Sequence, residues 1–161
     1  MALELKMAYD KPKEVAELFK EYTDMLIQND SSFAEYLKIQ KYNEELENLE
    51  YKYGLPKGRL YLAYFNDQLA GCIGFRQLNE QNCEMKRLYV RPDFRGHQIG
   101  SYLVEQIIND AKEMGYKHIL LDSLPFLKSA IKMYKSYGFY EIERYNDSPM
   151  ATTIYMKLDL E

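Results

Sequence analysis

The chain is poor in what several large functional classes require. Its 161 residues include two cysteines and two histidines. Neither Cys72 nor Cys83 stands in a CxxC or Cys/His spacing with His97 or His118, so a metal site has little to build on and none is expected. No apolar run reaches the roughly 18 residues of a membrane span. The opening MALELKMAYDKPKE has charges where a signal peptide would have its apolar stretch, and a cytoplasmic protein without membrane contact is expected. A formal net charge of −4 lacks the basic footprint of a nucleic-acid binder. The phosphate loop GxxxxGK[ST] and the dinucleotide fingerprint GxGxxG are both missing. Repeats and low-complexity stretches are absent too, and YGLPKGR (Tyr53 to Arg59) is the one weak break.

What is present suits one domain over residues 1–161: hydrophobic residues make up 47% of the chain, with sixteen tyrosines and seven phenylalanines to fill a core. LELKMAY (Leu3 to Tyr9) alternates as a strand does. PKEVAELFKEYTDMLIQ repeats Val15, Leu18, Phe19, Tyr22 and Leu26 at helical spacing. Asp30, Ser31 and Ser32 offer a cap for a second helix through FAEYLKIQKYNEELENLEYKY. The period then changes. RLYLAYFNDQLAGCIGFRQL reads as two strands about a tight Asn66-Asp67 turn, and NCEMKRLYV as a third. A turn at Leu78 to Asn82 places Cys72 opposite a position near Tyr89, so the two cysteines are expected as free thiols. Ile99, Leu103, Ile107, Ala111 and Met114 form a helical stripe ending at Gly115. HILLD is a short buried strand. PFLKSAIKMYKSYGF carries Leu127, Ala130, Ile131, Tyr134 and Tyr137 on one helical face, and FYEIERY and ATTIYMKL close the chain as strands. The order is βααβββαβαββ, an α+β arrangement.

Two features go beyond architecture. In YVRPDFRGHQIGSYLVEQI a glycine-rich turn runs into a helix, whose first-turn N–H groups and dipole favour an anion, and Arg95 adds a guanidinium suited to phosphate. An ordinary strand-to-helix turn is the other reading. In CEMKRLYV the apolar phase switches between the odd Met85 and the even Leu88 and Val90. Either a bulge lies between them or the strand is buried on both faces.

EMKRLYVRPDFRGHQIGSYL and AIKMYKSYGF, in this order, resemble the GNAT superfamily of N-acetyltransferases, over nearly the whole chain. The resemblance implies a mixed, mostly antiparallel sheet flanked by helices. It also implies acetyl-CoA as co-substrate, its pyrophosphate on the loop of Arg95, Gly96, His97, Gln98, Ile99, Gly100 and Ser101, and its pantetheine arm along Leu88, Tyr89 and Val90. Arg95, Gly96 and Gly100 match the family loop, whereas Gln98 stands where a middle glycine is usual. Tyr134, within A-x-x-x-Y-x-x-x-G-F, matches the acid that protonates the leaving thiolate. Leu127 replaces an asparagine common in relatives. Glu84 corresponds in position to a base used by several members, and Asp122 is the substitute. The implied activity is acetyl transfer to a primary amine of a small metabolite by direct attack in a ternary complex. Another acyl-CoA donor, or a CoA sensor without turnover, are the alternatives. No acceptor-binding residue is assigned, and strand edges of this fold leave room for a homodimer.

Overall fold

The computed structural model describes residues 3–29, 52–146 and 152–160. The second expected helix, with its cap at Asp30 to Ser32, lies outside them apart from its last two residues. The described elements are β1 (Leu3–Met7), α1 (Pro12–Asn29), β2 (Arg59–Phe65), β3 (Gln68–Gln77), β4 (Asn82–Val90), α2 (Ile99–Glu113), β5 (His118–Ser123), α3 (Lys128–Ser136), β6 (Tyr140–Ile142) and β7 (Ile154–Asp159). They follow the expected order. The strands form one sheet, β1-β2-β3-β4-β5-β7-β6, in which only β4 and β5 run parallel.

Alternation along the strands produces two packed faces. Tyr61, Ala63, Phe65, Ile73, Phe75, Cys83 and Met85 point to one side, where Ile99, Leu103, Val104, Ile107 and Ala111 of α2 cover them. Leu60, Leu62, Cys72 and Tyr89 point to the other and meet Val15, Leu18 and Phe19 of α1. Period-2 strands between period-3.6 helices thus bury both sheet faces. Arg91, just beyond β4, fastens α1 to this strand through Glu17 at 2.7 Å and Glu21 at 2.8 Å.

Turn chemistry sets the registers. Asn66 and Asp67 have φ of 51° and 66°, the left-handed pair that a two-residue hairpin turn demands. The Asn79 side chain accepts the Gln81 and Asn82 amides and shapes the next turn. That turn places Cys72 opposite Tyr89, as expected. Cys72 and Cys83 are free and buried, and burial pushes both thiols up to about 12. The strand expected over FYEIERY is shorter: β6 ends at Ile142, and Tyr145 leaves the ladder to reach across to Glu84.

Candidate active site

The site begins with an irregularity in β4. Cys72 pairs with Tyr89 and Gly74 with Lys86, so three steps along β4 oppose two along β3. Arg87 takes up the extra residue at φ 62°. A bulge therefore separates Met85 from Leu88 and returns both to the α2 face, and the strand is also buried on both faces, so both readings of the phase switch hold. Beyond this point the sheet parts. The β4–β5 ladder runs from Asn82↔His118 to Glu84↔Leu120 and stops, although β4 continues to Val90 and β5 to Ser123.

A cleft of about 600 Å³ occupies the gap. Of the residues singled out in the sequence, Leu88, Tyr89, Val90, Arg95, Gly96, Gln98, Ile99, Gly100, Ser101 and Tyr134 line it, as do Asp122 and Leu127. His97 is not on its wall: the imidazole stacks on Phe65 with ring centroids 4.5 Å apart. Glu84 lines neither this cleft nor the small cavity at its foot.

At one end stands the N-terminus of α2. Gln98 is its N-cap residue, at φ 61° and ψ 23°, and provides no side-chain hydrogen bond. The helix opens with the Tyr102 N–H donating to the Gln98 carbonyl at 3.1 Å, which leaves the Ile99, Gly100 and Ser101 amides as first-turn donors. Gly96 has φ +90° and nothing within 4 Å of where a Cβ would stand. Open backbone, a helix dipole and the Arg95 guanidinium make a cradle that fits a diphosphate. Gln98 occupies the left-handed conformation that glycine adopts most easily, so the position where the family loop usually has a glycine is one whose backbone favours glycine in this chain too.

Tyr134 lies at the inner end. It is 7% exposed, packs against Phe139, and its hydroxyl has no hydrogen-bond partner among the described residues. Burial, then the neighbouring Tyr22 and Asp122, push this hydroxyl well above the usual tyrosine range. It keeps its proton across the neutral range. Leu127, the N-cap residue of α3, offers no side-chain cap either.

Glu84 is tied into another network. Its carboxylate accepts from Arg76 Nε at 2.8 Å and from the Tyr145 hydroxyl at 2.6 Å, with Lys86 Nζ at 3.8 Å. Burial would raise its pKa, but Lys86, Arg76 and the Tyr145 hydrogen bond outweigh burial and hold it at about 2. So firm a carboxylate is a weak proton acceptor. Asp122 accepts from Asn146 Nδ2 at 2.8 Å and lines both the cleft and the cavity below. The sequence reading missed Lys86 and Asn146 and gave Tyr145 no role. Lys86 alternates with apolar neighbours as a solvated strand charge would, and Tyr145 reaches its partner only through the turn of chain after β6. Among the described residues no group of His, Cys, Asp and Glu side chains is gathered as a metal would need, and no helix is long and apolar enough to cross a membrane.

Known proteins resemble this chain in sequence and in fold. Residues 15–139 match the model of the Acetyltransferase (GNAT) family. An N-acetyltransferase of Schizosaccharomyces pombe, described as uncharacterized, is 39% identical over 126 residues, 77% of each chain. Another so described, from Dictyostelium discoideum, is 32% identical with both chains covered in full. Among solved structures, the PaiA N-acetyltransferase of Thermoplasma acidophilum in complex with coenzyme A superposes with a TM-score of 0.77 at 16% identity, over 99% of each chain, a likeness of fold. By the match over residues 15–139 and by these relatives, the chain belongs to the GNAT family of acetyltransferases.

Proposed function

We propose that the protein transfers an acetyl group from acetyl-CoA to the primary amine of a small molecule, by direct attack with both substrates bound. The observation that carries this is the cleft itself, which runs from the open amides of α2, along the unpaired edge of β4, to the unpartnered Tyr134 hydroxyl. Arg95 to Ser101 would hold the diphosphate, with His97 contributing its backbone while its ring braces the turn against Phe65. The Leu88 to Val90 backbone would hold the pantetheine arm. Acetyl-CoA supplies an activated thioester carbonyl.

The acceptor amine must lose a proton and the departing sulfur must gain one. Tyr134 is assigned the second task. The first was expected of Glu84, but that carboxylate is committed to Arg76 and Tyr145 and stands off the cleft wall. Asp122 is on the wall, within electrostatic reach of Tyr134, and is assigned the relay, directly or through water. Glu84 then acts at a distance by fixing Tyr145 and Arg76. An acyl donor other than acetyl-CoA is a narrower variant of the same reading, since the loop contacts named here read phosphate and not the acyl chain.

The test is thiol release from acetyl-CoA across a panel of amines. In Tyr134→Phe, turnover is expected to fall on the order of 100-fold while acetyl-CoA affinity stays within about twofold. Unchanged turnover would remove Tyr134 from the mechanism. Saturable acetyl-CoA binding without amine-dependent release from the wild type would point to a sensor.

A further inference from the structure

Below the cleft lies a small cavity of about 40 Å³, which shares Tyr22, Leu88, Asp122, Ser123, Leu127 and Tyr134 with the cleft above. That is room for a few waters, or for one carboxylate group. Next to Arg87, Lys86 lines it. This side chain is 5% exposed, yet its ammonium makes no hydrogen bond among the described residues, and the nearest anion, Glu84 Oε1, stands 3.8 Å away. Glu84 in turn is already bound by Arg76 and Tyr145. Asn82 Oδ1 is the single fully enclosed polar side-chain atom without a partner among the described residues, so the Lys86 ammonium is not itself fully enclosed. A cation so deeply buried is costly unless an anion and hydrogen-bond acceptors meet it. Asp122, on the shared wall, supplies the opposite charge beside Tyr134.

We infer that the acceptor is an amino carboxylate, its carboxylate bound in the lower cavity by Lys86 and its amine held at the junction by Asp122, facing the thioester. The inference rests on the acetyltransfer reading and narrows it: diamines and polyamines, which would bring a second cation toward Lys86, are poor acceptors. Lys86 is a specificity-determining residue.

The experiment compares alanine with alaninamide, and lysine with lysinamide and cadaverine, at saturating acetyl-CoA, in the wild type, Lys86→Met and Lys86→Arg. The free acids should exceed their amides in kcat/KM by about 10- to 100-fold, the range of a hydrogen bond to a charged group. That preference should collapse in Lys86→Met and persist in Lys86→Arg. Amides used as well as acids by the wild type, or an acid preference surviving Lys86→Met, would overturn the inference while leaving acetyltransfer intact. If no amine releases thiol, the acetyltransfer reading fails. Calorimetric titration of alanine against alaninamide into the CoA-loaded protein then decides the inference separately, and equal or absent binding overturns it.

Discussion

At Glu84, burial and charge act against each other, and charge wins. The side chain is 2% exposed, yet Lys86, Arg76 and Tyr145 keep its pKa near 2 against an ordinary value of 4.5. A pKa lowered by folding gives stability that is fully present above the unfolded value and is lost as pH falls through the folded one. Glu84→Gln leaves two cations without their carboxylate and should cost about 3 kcal/mol at neutral pH. That gap should close as pH falls from about 4.5 to about 2. Denaturant melts of both proteins across this window read it directly, and a gap independent of pH would mean that the cations do not hold the carboxylate. Gln98 illustrates strain of a different kind. Its φ of 61° suits glycine, so Gln98→Gly should stabilise the protein by about 1 kcal/mol, the left-handed penalty less the added chain entropy of glycine. Thermal melts check this. A destabilised variant would mean that the Gln98 side chain makes a contact that outweighs the strain.

Among the elements, β4 shows how much of the site was legible in the sequence. Its boundaries and the glycine turn beyond it can be read from local patterning, whereas Met85 and Leu88 leave a bulge and a strand buried on both faces equally open, and the register against β3 shows the bulge. The Asn66-Asp67 hairpin and the pairing of Cys72 with Tyr89 are local in the same sense. The partner of β4 on its other edge is not. β5 reaches it only after the whole of α2, and nothing in HILLD tells that the ladder stops after Leu120. The roles around Glu84 depend on Tyr145, 61 residues away, and thus on how the last two strands fold back. A strand glutamate beside charged neighbours carries no local sign of being buried. At the start of α2 the consequence is concrete. A Cβ on Gly100 would come no closer than 3.8 Å to Met133 and Val90, so Gly100→Glu should fold, and an acid in the first turn suits the helix dipole. The same carboxylate points into the phosphate cradle. Its free protein should melt no lower than wild type, with acetyl-CoA binding lost by at least about 100-fold in calorimetry, which is about 2.7 kcal/mol. Retained affinity would move the diphosphate elsewhere.

Across the whole molecule, three register pairs at 82–84 and 118–120 join the β1–β4 part of the sheet to the β5–β7 part. A ligand seated in the gap touches both. Acetyl-CoA at 100 times its Kd should therefore stabilise the wild type by about 2.7 kcal/mol, visible as a higher Tm, and Gly100→Glu by no more than about 0.4 kcal/mol. Equal shifts in both proteins would place the ligand outside the gap. The folded chain also has a property that matters to anyone who follows the reaction with a sulfhydryl-reactive dye. Both cysteines are sealed in the core, and burial pushes both thiols up to about 12, so the thiolate that the dye requires is scarce at neutral pH. In the proposed reaction, colour in such an assay is expected from released coenzyme and not from the folded protein's own thiols, which are also shielded from a mixed disulfide with coenzyme A.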